Sequence, residues 1–558
     1  MPTLHWVGKD KVVNHHLDVP FRVLNKVSSF RAPEGAPTNS TDNRIIHGDN
    51  LEALKSLLPE FEGMVNCIYI DPPYNTGNEG WVYNDAVNDP KMKRWLGQVV
   101  GKEGEDLSRH DKWLCMMYPR LKLLHRLLAR DGVIFVSLDD NEVYAMMLML
   151  REIFGEHNFL AQIIVQSNRR GQTYKQIAKT HEYLICFGKT AEAKLGELET
   201  AGSNLPEEDN FGKFSSRELR NRNPKFGRHN RPNLFYPFYP DLGNPDPDGN
   251  FPILLDDPKN GNEILPYNSK NEESCWRWGL EKAKKDTDGN GTKVLFARKT
   301  RDGDWRIFEK YRKETVKAKS VWTETKHISE QGTTELGRLG LADNFQFPKP
   351  IGLIEDCLAL ATDEESLVLD SFAGSGTTAH AVLKLNAEDG GRRRFILTEM
   401  MPYAESVTAE RVRRAIGGYG SDAAAVSGLG GAFDYYTVGE PMFLPDDNLN
   451  EAVGVEAIRA YVAYSEGIPP DDQTTAENPH SPYLLGLNRE TAWIFHYEPD
   501  TATSLDMDFL AGLRFGGITG AGKPGTVIIY ADRCLLSVAF MAKHGIIFKK
   551  IPRDITRF

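Results

Sequence analysis

The chain has 558 residues, 40% of them hydrophobic and 26% charged, with a formal net charge of −11. That length exceeds what one hydrophobic core supports and points to about two to four domains. No apolar run nears the ~20 residues of a membrane span, and six scattered cysteines with no CxxC pair exclude a disulfide frame and a zinc site, so no metal is expected.

Residues 1–43 read as an N-terminal arm. Their opening, MPTLHWVGKDKVVNHH, has no apolar signal core, so a cytoplasmic protein with no membrane contact is expected. Residues 44–190 alternate strand and helix signals. RIIHGDNLEALKSLL gives a short strand, a turn and an amphipathic helix, and MVNCIYIDPPY is a strand of buried type. KWLCMMYPRLKLLHRLLARDG has helical periodicity and is expected to stop at Asp131-Gly132. VIFVSLDD and HEYLICFGK follow as further strands. Continuous apolar strands separated by helices imply a parallel sheet covered on both faces.

Composition changes over 191–330, where Pro, Gly, Asn and Asp become dense and aromatic and basic residues interleave, as in an inserted module of short strands and long loops. The alternation returns over 331–420 with KPIGLIEDCLALAT, SLVLDSFAGSGTTAHAVLKLN and RRRFILTEM. A last segment, 433–558, opens with six acids and no Lys or Arg between Asp434 and Glu456 and ends strand-like; it reads as an α+β accessory domain. The whole is an α/β protein, a doubly wound Rossmann-like sheet interrupted by the insert.

Two stretches carry chemistry. In VLDSFAGSGTTAHAVL, Gly374 and Gly376 let a strand turn sharply into a helix whose first N–H groups are free. Glu399 follows 23 residues after Gly376, at the end of the next strand, where an acid can hold ribose hydroxyls. A ligand-free turn, a dinucleotide site and an S-adenosylmethionine site all satisfy this spacing. Asp370, just before the turn, would repel a phosphate and accept a sulfonium with its amino group, which favours S-adenosylmethionine over NAD.

In VNCIYIDPPYNTG, Asp71 ends a buried strand, where ligands sit in doubly wound sheets. Pro72 and Pro73 lack N–H groups and fix φ, so the loop leaves stiffly extended. The Asp71 carboxylate and the Pro72 carbonyl can accept both hydrogens of one exocyclic amine, and Tyr74 offers a face for a planar base. Transfer of a sulfonium methyl to such an amine needs little beyond positioning and electrostatics.

With IHGDNLEAL, YIDPPYNTG, DGVIFVSLDD, HEYLICFGK, FPKP, LDSFAGSGTT and RRFILTEM in this order, the chain resembles the DNA amino-methyltransferases of the beta arrangement. More closely it resembles the modification (Mod) subunit of type III restriction-modification systems. The likeness spans roughly residues 1–420 and the IIFKKIP tail. It implies a circularly permuted methyltransferase sheet with the catalytic half (44–190) ahead of the cofactor half (331–420). It implies an amine-binding loop of Asp71, Pro72, Pro73 and Tyr74. It places Phe372, Gly374 and Gly376 around the methionine part of S-adenosylmethionine, with Asp370 and Thr377 beside them, Glu399 on the ribose, Asp49 at the adenine edge, and Lys349 and Pro350 flanking the methionine carboxylate. Asp rather than Ser at the first loop position is similar to enzymes making N6-methyladenine; N4-methylation of cytosine stays the alternative. No Pro-Cys pair appears, which speaks against C5-cytosine chemistry.

The resemblance also makes the insert a target-recognition module. Its run SSRELRNRNPKFGRHNRPN holds Arg217, Arg220, Arg222, Lys225, Arg228 and Arg231 against one acid, Glu218, as phosphate or guanine contacts on double-stranded DNA require. It further implies a homodimer and an ATP-dependent restriction or defence partner. An NAD-dependent oxidoreductase, a catalytically silent DNA-binding subunit and methylation of RNA or of a glutamine side chain are the rival readings. GITGAGKPG, Gly517 to Gly525, lacks the Ser or Thr and the helix of a P-loop, and DTDGNGTKVLFA, from Asp286, lacks the final Glu of a calcium loop.

Overall fold

The protein is described here by a computed structural model over residues 3–75, 109–171, 176–199, 205–256, 262–287, 294–300, 303–312, 315–421, 424–475, 477–478, 480–514, 524–552 and 554–555. Two units form: Met1–Gly196 with Lys319–Phe558, and Glu197–Ala318. GITGAGKPG lies almost wholly outside the described residues.

The first unit is built on a sheet of ten strands: β1 (Arg22–Arg31), β2 (Asn43–His47), β3 (Val65–Ile70), β4 (Leu128–Leu138), β5 (Phe159–Val165), β6 (Glu182–Gly188), β7 (Val321–Trp322), β8 (Leu367–Asp370), β9 (Arg394–Glu399) and β10 (Ala432–Pro441). Their spatial order is β1-β10-β2-β9-β8-β3-β4-β6-β5-β7. The six from β10 to β4 run parallel, while β1 and β6 enter antiparallel. Buried on both faces, β3 reads VNCIYI and β8 reads LVLD with almost no exposed position.

Helices α1 (Asn50–Phe61), α2 (Arg109–Leu127) and α3 (Val143–Phe154) cover one face; their Leu54, Trp113, Met116 and Met146 pack with Val65, Ile68 and Ile134. Each such burial stabilises by ~1.5–3 kcal/mol. On the other face α4 (Ile351–Ala361) sets Cys357 beside Cys67 of β3 and Cys186 of β6, and packs on α5 (Thr377–Asp389). α2 stops at Leu127, short of the expected Asp131-Gly132. Val65 pairs with Leu128 and Cys67 with Val133, so the residues between bulge out of β4. Lys189 holds the Arg126 and Leu128 carbonyls there in place of further helical N–H groups.

The connections decide where a ligand can sit. From β3 the chain crosses by α2 to β4, on one side; from β8 it crosses by α5 to β9, on the other. Between β3 and β8 the direction of winding reverses, and the crevice beyond their carboxyl ends is the ligand position of such sheets.

The insert of the second unit runs Glu197–Ala318 rather than 191–330, because Val321–Trp322 already pairs in parallel with β5. It holds an antiparallel sheet of Leu295–Lys299, Trp305–Tyr311, Gly212–Glu218 and Glu207–Asp209, and its own core includes Leu219, Phe238, Trp276 and Ile307. The Asp286 carboxylate accepts from the Val294 and Leu295 N–H groups, and residues 288–293 between them lie outside the described residues. At the other end of the chain, the segment expected to open an accessory domain at 433 instead supplies β10, whose alternating aromatics Phe433 and Tyr435 are buried against the main sheet. A four-stranded sheet of β11 (Leu484–Leu487), β12 (Thr491–Phe495), β13 (Thr526–Ala531) and β14 (Ile546–Lys550) follows.

Candidate active site

Four acids stand at the tips of neighbouring parallel strands. In spatial order they are Asp49 just beyond β2, Glu399 ending β9, Asp370 ending β8 and Asp71 just beyond β3. The last two flank the crevice where the winding reverses.

Asp71 begins a loop held by side chains from far along the chain. The Trp113 Nε1–H donates to the Pro73 carbonyl at 2.7 Å. Asn75, at φ 56°, donates to the wholly buried Glu142, whose carboxylate also meets His110 Nδ1 at 2.6 Å. The Tyr74 hydroxyl donates to Glu182 at 3.1 Å. Lys349 Nζ lies 2.8 Å from Glu182 and 3.4 Å from Asp71, bonds the Tyr74 hydroxyl, and sits 4.7 Å from the centre of its ring.

The glycine loop is held by backbone and by its own helix. Gly374 and Gly376 take φ of 52° and 80°, which side chains avoid. A Cβ on Gly376 would come within 3.0 Å of the Thr408 carbonyl oxygen. The Gly374 N–H donates to Glu399 at 2.8 Å, and Thr378 donates to Asp370 at 2.6 Å. Arg411, from α6 (Glu410–Gly417), is fully buried and donates to Ser375 and Thr377, both at 2.8 Å, while its Nε and second Nη find no hydrogen-bond partner among the described residues. Thr377 in turn donates to the Lys349 carbonyl at 3.2 Å.

The two loops face one cleft, about 280 Å³ counting the solvent that fills its open mouth, lined by Asp71, Lys349, Asp370, Phe372, Ser375 and Thr377 among others. Burial pushes Asp71 up to about 6, against the pull of Lys349, and Asp370 up to about 7, against its bond from Thr378. Glu399 is likewise pushed up to about 7 by burial. For Glu182 burial acts upward, but Lys349 and Tyr74 hold it below the usual range. The cavity therefore carries more acid than base, and a cation entering it would restore both carboxyls on its wall to their ionised forms.

Asp71, Asp370, Phe372, Gly374, Thr377 and Lys349 thus meet around one space, and Tyr74 joins them through Lys349. Pro72 is buried beneath, and Pro350 caps α4. Asp49 and Glu399 do not line the cavity. The Asp49 carboxylate caps α1, accepting from Leu51 at 2.8 Å, and the two Glu399 oxygens accept from Gly374 and Met401. Lys349, expected beside a carboxylate of the ligand, here pairs with the protein's own acids. In the insert, Arg220 and Arg222 share Glu218 at 3.0 Å each, and Arg228 meets Glu273 at 2.8 Å. Arg217 and Arg231 lie over the rings of Tyr311 and Phe226, and Lys225 is exposed.

Four functional positions escaped the sequence. Glu182 opens an apolar strand beside a histidine, a place where a charge is out of phase. Arg411 falls on the buried stripe Val407–Arg411–Ala415, so its helical phase could have marked it. Glu142 and Trp113 gave no local signal.

Residues 65–410 match the DNA methylase family (N6_N4_Mtase). The chain belongs to this family. Among its relatives is the EcoPI Mod subunit of a type III restriction-modification enzyme from Escherichia phage P1, 34% identical over 71% of this chain and 62% of that one. The EcoP15I Mod subunit of Escherichia coli is 30% identical over 71% of this chain and 64% of its own length. The type II methyltransferase M.KpnI of Klebsiella pneumoniae is 32% identical over 65% of this chain and 82% of its own length. The chain thus spans under two thirds of the two Mod subunits. A solved DNA methylase structure, the cytosine-N4-specific PvuII DNA methyltransferase, overlaps 68% of this chain and 89% of that one at 13% identity and a TM-score of 0.33.

Proposed function

We propose that the protein is a site-specific DNA methyltransferase that moves a methyl group from S-adenosylmethionine to N6 of an adenine swung out of the duplex. The observation that carries this is the shared cavity: the Asp71 loop and the glycine loop face one space, so an amine held by one lies against a ligand held by the other.

The donor set suits that cofactor. Among the described residues, two carboxyls and no phosphate-binding cation other than Lys349 face the cleft, so a sulfonium and an α-ammonium are welcome there and a pyrophosphate is not, which weighs against NAD. Asp370, Phe372, Gly374 and Thr377 would hold its amino-acid end. Bound S-adenosylmethionine supplies an electrophilic methyl. The chain's own part is to place the amine: the Asp71 carboxylate and the Pro72 carbonyl accept its two N–H bonds, which turns the nitrogen lone pair toward the cavity, while Tyr74 supplies a stacking face. Once the nitrogen carries the methyl it must shed a proton, and Asp71 at about 6 is placed to take it.

The insert would read the duplex through Arg217, Arg220, Arg222, Lys225, Arg228 and Arg231. We read the working form as a homodimer, partnered in defence by an ATP-dependent restriction subunit, as a Mod subunit is. Adenine is preferred over cytosine because the amine-binding loop begins with Asp71.

The test is to incubate the full chain with unmethylated bacterial DNA and methyl-labelled S-adenosylmethionine, then digest to nucleosides and weigh them. N6-methyladenine absent with Asp71→Ala establishes the reaction. N4-methylcytosine overturns the base assignment alone. No labelled nucleoside from DNA, with the cofactor bound, overturns the DNA substrate.

A further inference from the structure

Lys349 reaches both halves of the site. Its carbonyl accepts from Thr377 at the start of α5, and its ammonium lies between Glu182 at 2.8 Å and Asp71 at 3.4 Å while bonding the Tyr74 hydroxyl. Lysine carries three donors and no acceptor; Glu182 and the Tyr74 phenol take hydrogen bonds, and Asp71 adds an ion pair at 3.4 Å. All three partners belong to groups that must be fixed for an amine to be received: Asp71 itself, the ring of Tyr74, and the strand-opening Glu182 that anchors the ring.

Among the described residues, those facing Asp71 are Lys349, Glu182, Tyr74 on its own loop, Tyr69 on β3 and Asp370 on β8; Lys179 acts on Glu182 from outside, and Glu399 acts on Asp370. Lys349 is the one cation among these described groups that acts directly on Asp71. Glu182 is the nearer acid, at 2.8 Å against 3.4 Å; burial and the Glu182 charge push Asp71 up despite Lys349, while Lys349 and Tyr74 hold Glu182 down, so the two carboxyls are displaced in opposite directions.

We propose that Glu182 and Lys349 are positioning residues of the amine-receiving loop: the Lys349 ammonium, shared between Asp71 and Glu182, sets how readily Asp71 ionises, fixes the Tyr74 ring, and links both to the glycine loop. This rests on the methyl-transfer reading. Ionised Asp71 accepts an amine N–H more strongly than its acid form does and is the form able to take the amine's proton, so methyl transfer has an acid limb set by this triad. Glu182 repels charge on Asp71 and Lys349 favours it.

The experiment is the pH dependence of methyl transfer to DNA for the full chain and three variants. Glu182→Gln should move the acid limb down by about one pH unit, because Lys349 is left to Asp71 alone. Lys349→Met should move it up by about one to two units, because two buried acids then face each other uncompensated. The double variant Glu182→Gln/Lys349→Met should bring the limb back toward the parent's, a rescue that loss of packing cannot produce. Coincident limbs for the parent and Glu182→Gln overturn the inference, as does a double variant no better than Lys349→Met. If Lys349→Met fails to fold, Glu182→Gln alone still decides. Those results leave the methyl-transfer reading intact, whereas a parent chain that transfers no methyl to any DNA overturns that reading first.

Discussion

The two loops that face each other across the crevice are held by opposite means. The Asp71 loop is fixed by side chains gathered from Trp113, Glu142, Glu182 and Lys349, distant in sequence and mostly charged. The glycine loop is fixed by backbone shape, by a strand-end acid accepting its N–H, and by Arg411 behind it. The first arrangement can be retuned by changing one charge. The second fails only when its shape is lost. A site built this way can adjust the chemistry of the amine while keeping its cofactor pocket constant.

The sharpest way to break the comparison is Asp71→Ala. It removes an acceptor aimed at the reacting amine and should cost about 10²–10³-fold or more in methyl transfer, the scale for one preorganised partner of a transition state. Cofactor affinity should fall far less than the rate, as calorimetry would show, because one of the two wall carboxyls is lost while the glycine loop keeps its own supports. If cofactor affinity collapses with the rate, the two loops are not separately held.

Gly376→Ala is the converse. Its φ of 80° and the Thr408 oxygen 3.0 Å from the added Cβ force the loop to shift. The strain is ~1–3 kcal/mol, so cofactor affinity should drop about tenfold or more. The acid limb of methyl transfer at saturating cofactor should stay where it was, since no charge changes.

These contrasts also explain what could be read from the sequence. The β3 and β8 strands, the two loops and their meeting at one crevice were legible, because runs of apolar residues ending in Asp and Gly-rich turns are local signals. So was the acid Glu399, although its oxygens serve the loop's own backbone. The Lys349–Glu182 pair was not, because 166 residues, the whole insert among them, lie between the two partners, and each looks like an ordinary strand or loop charge. The role of 432–441 was hidden for the same reason: a strand that closes a sheet begun at residue 22 carries no mark of its partner.

Arg411→Met sharpens the comparison further. Two bonds to Ser375 and Thr377 are lost, and charged hydrogen bonds are worth ~1.5–3 kcal/mol each. Against that, a guanidinium that burial already drags down to about 10 is removed from the interior. The offset should leave folding stability within about 2 kcal/mol of the parent, while the KM for cofactor rises about tenfold and the pH limb does not move. Lys at 411, shorter and without the fork, should restore the charge but only part of the KM. A moved pH limb would mean that Arg411 acts on Asp71 and that the two loops share one electrostatic system.

The smallest effect expected is on cofactor binding itself as pH changes. Asp370 is pushed up to about 7 in the free protein by burial, so near neutrality a fraction of it is protonated. A cation in the cavity favours the ionised form, so binding must release a proton from that fraction. Cofactor affinity should therefore weaken as pH falls through 7 and level off above about 8. The free protein should show the opposite trend. A carboxyl whose folded value lies above its unfolded one stabilises the fold below the unfolded value and has lost that contribution once pH has risen through the folded one, so thermal stability without cofactor should decline from about pH 4 to 7 and level off near 8. Calorimetry in two buffers of different ionisation enthalpy would count the proton, and Asp370→Asn should abolish most of it. Burial pushes Asp71 only to about 6, against the pull of Lys349, so a proton count that persists in Asp370→Asn would place the linkage on the amine loop instead and erase the division between the two.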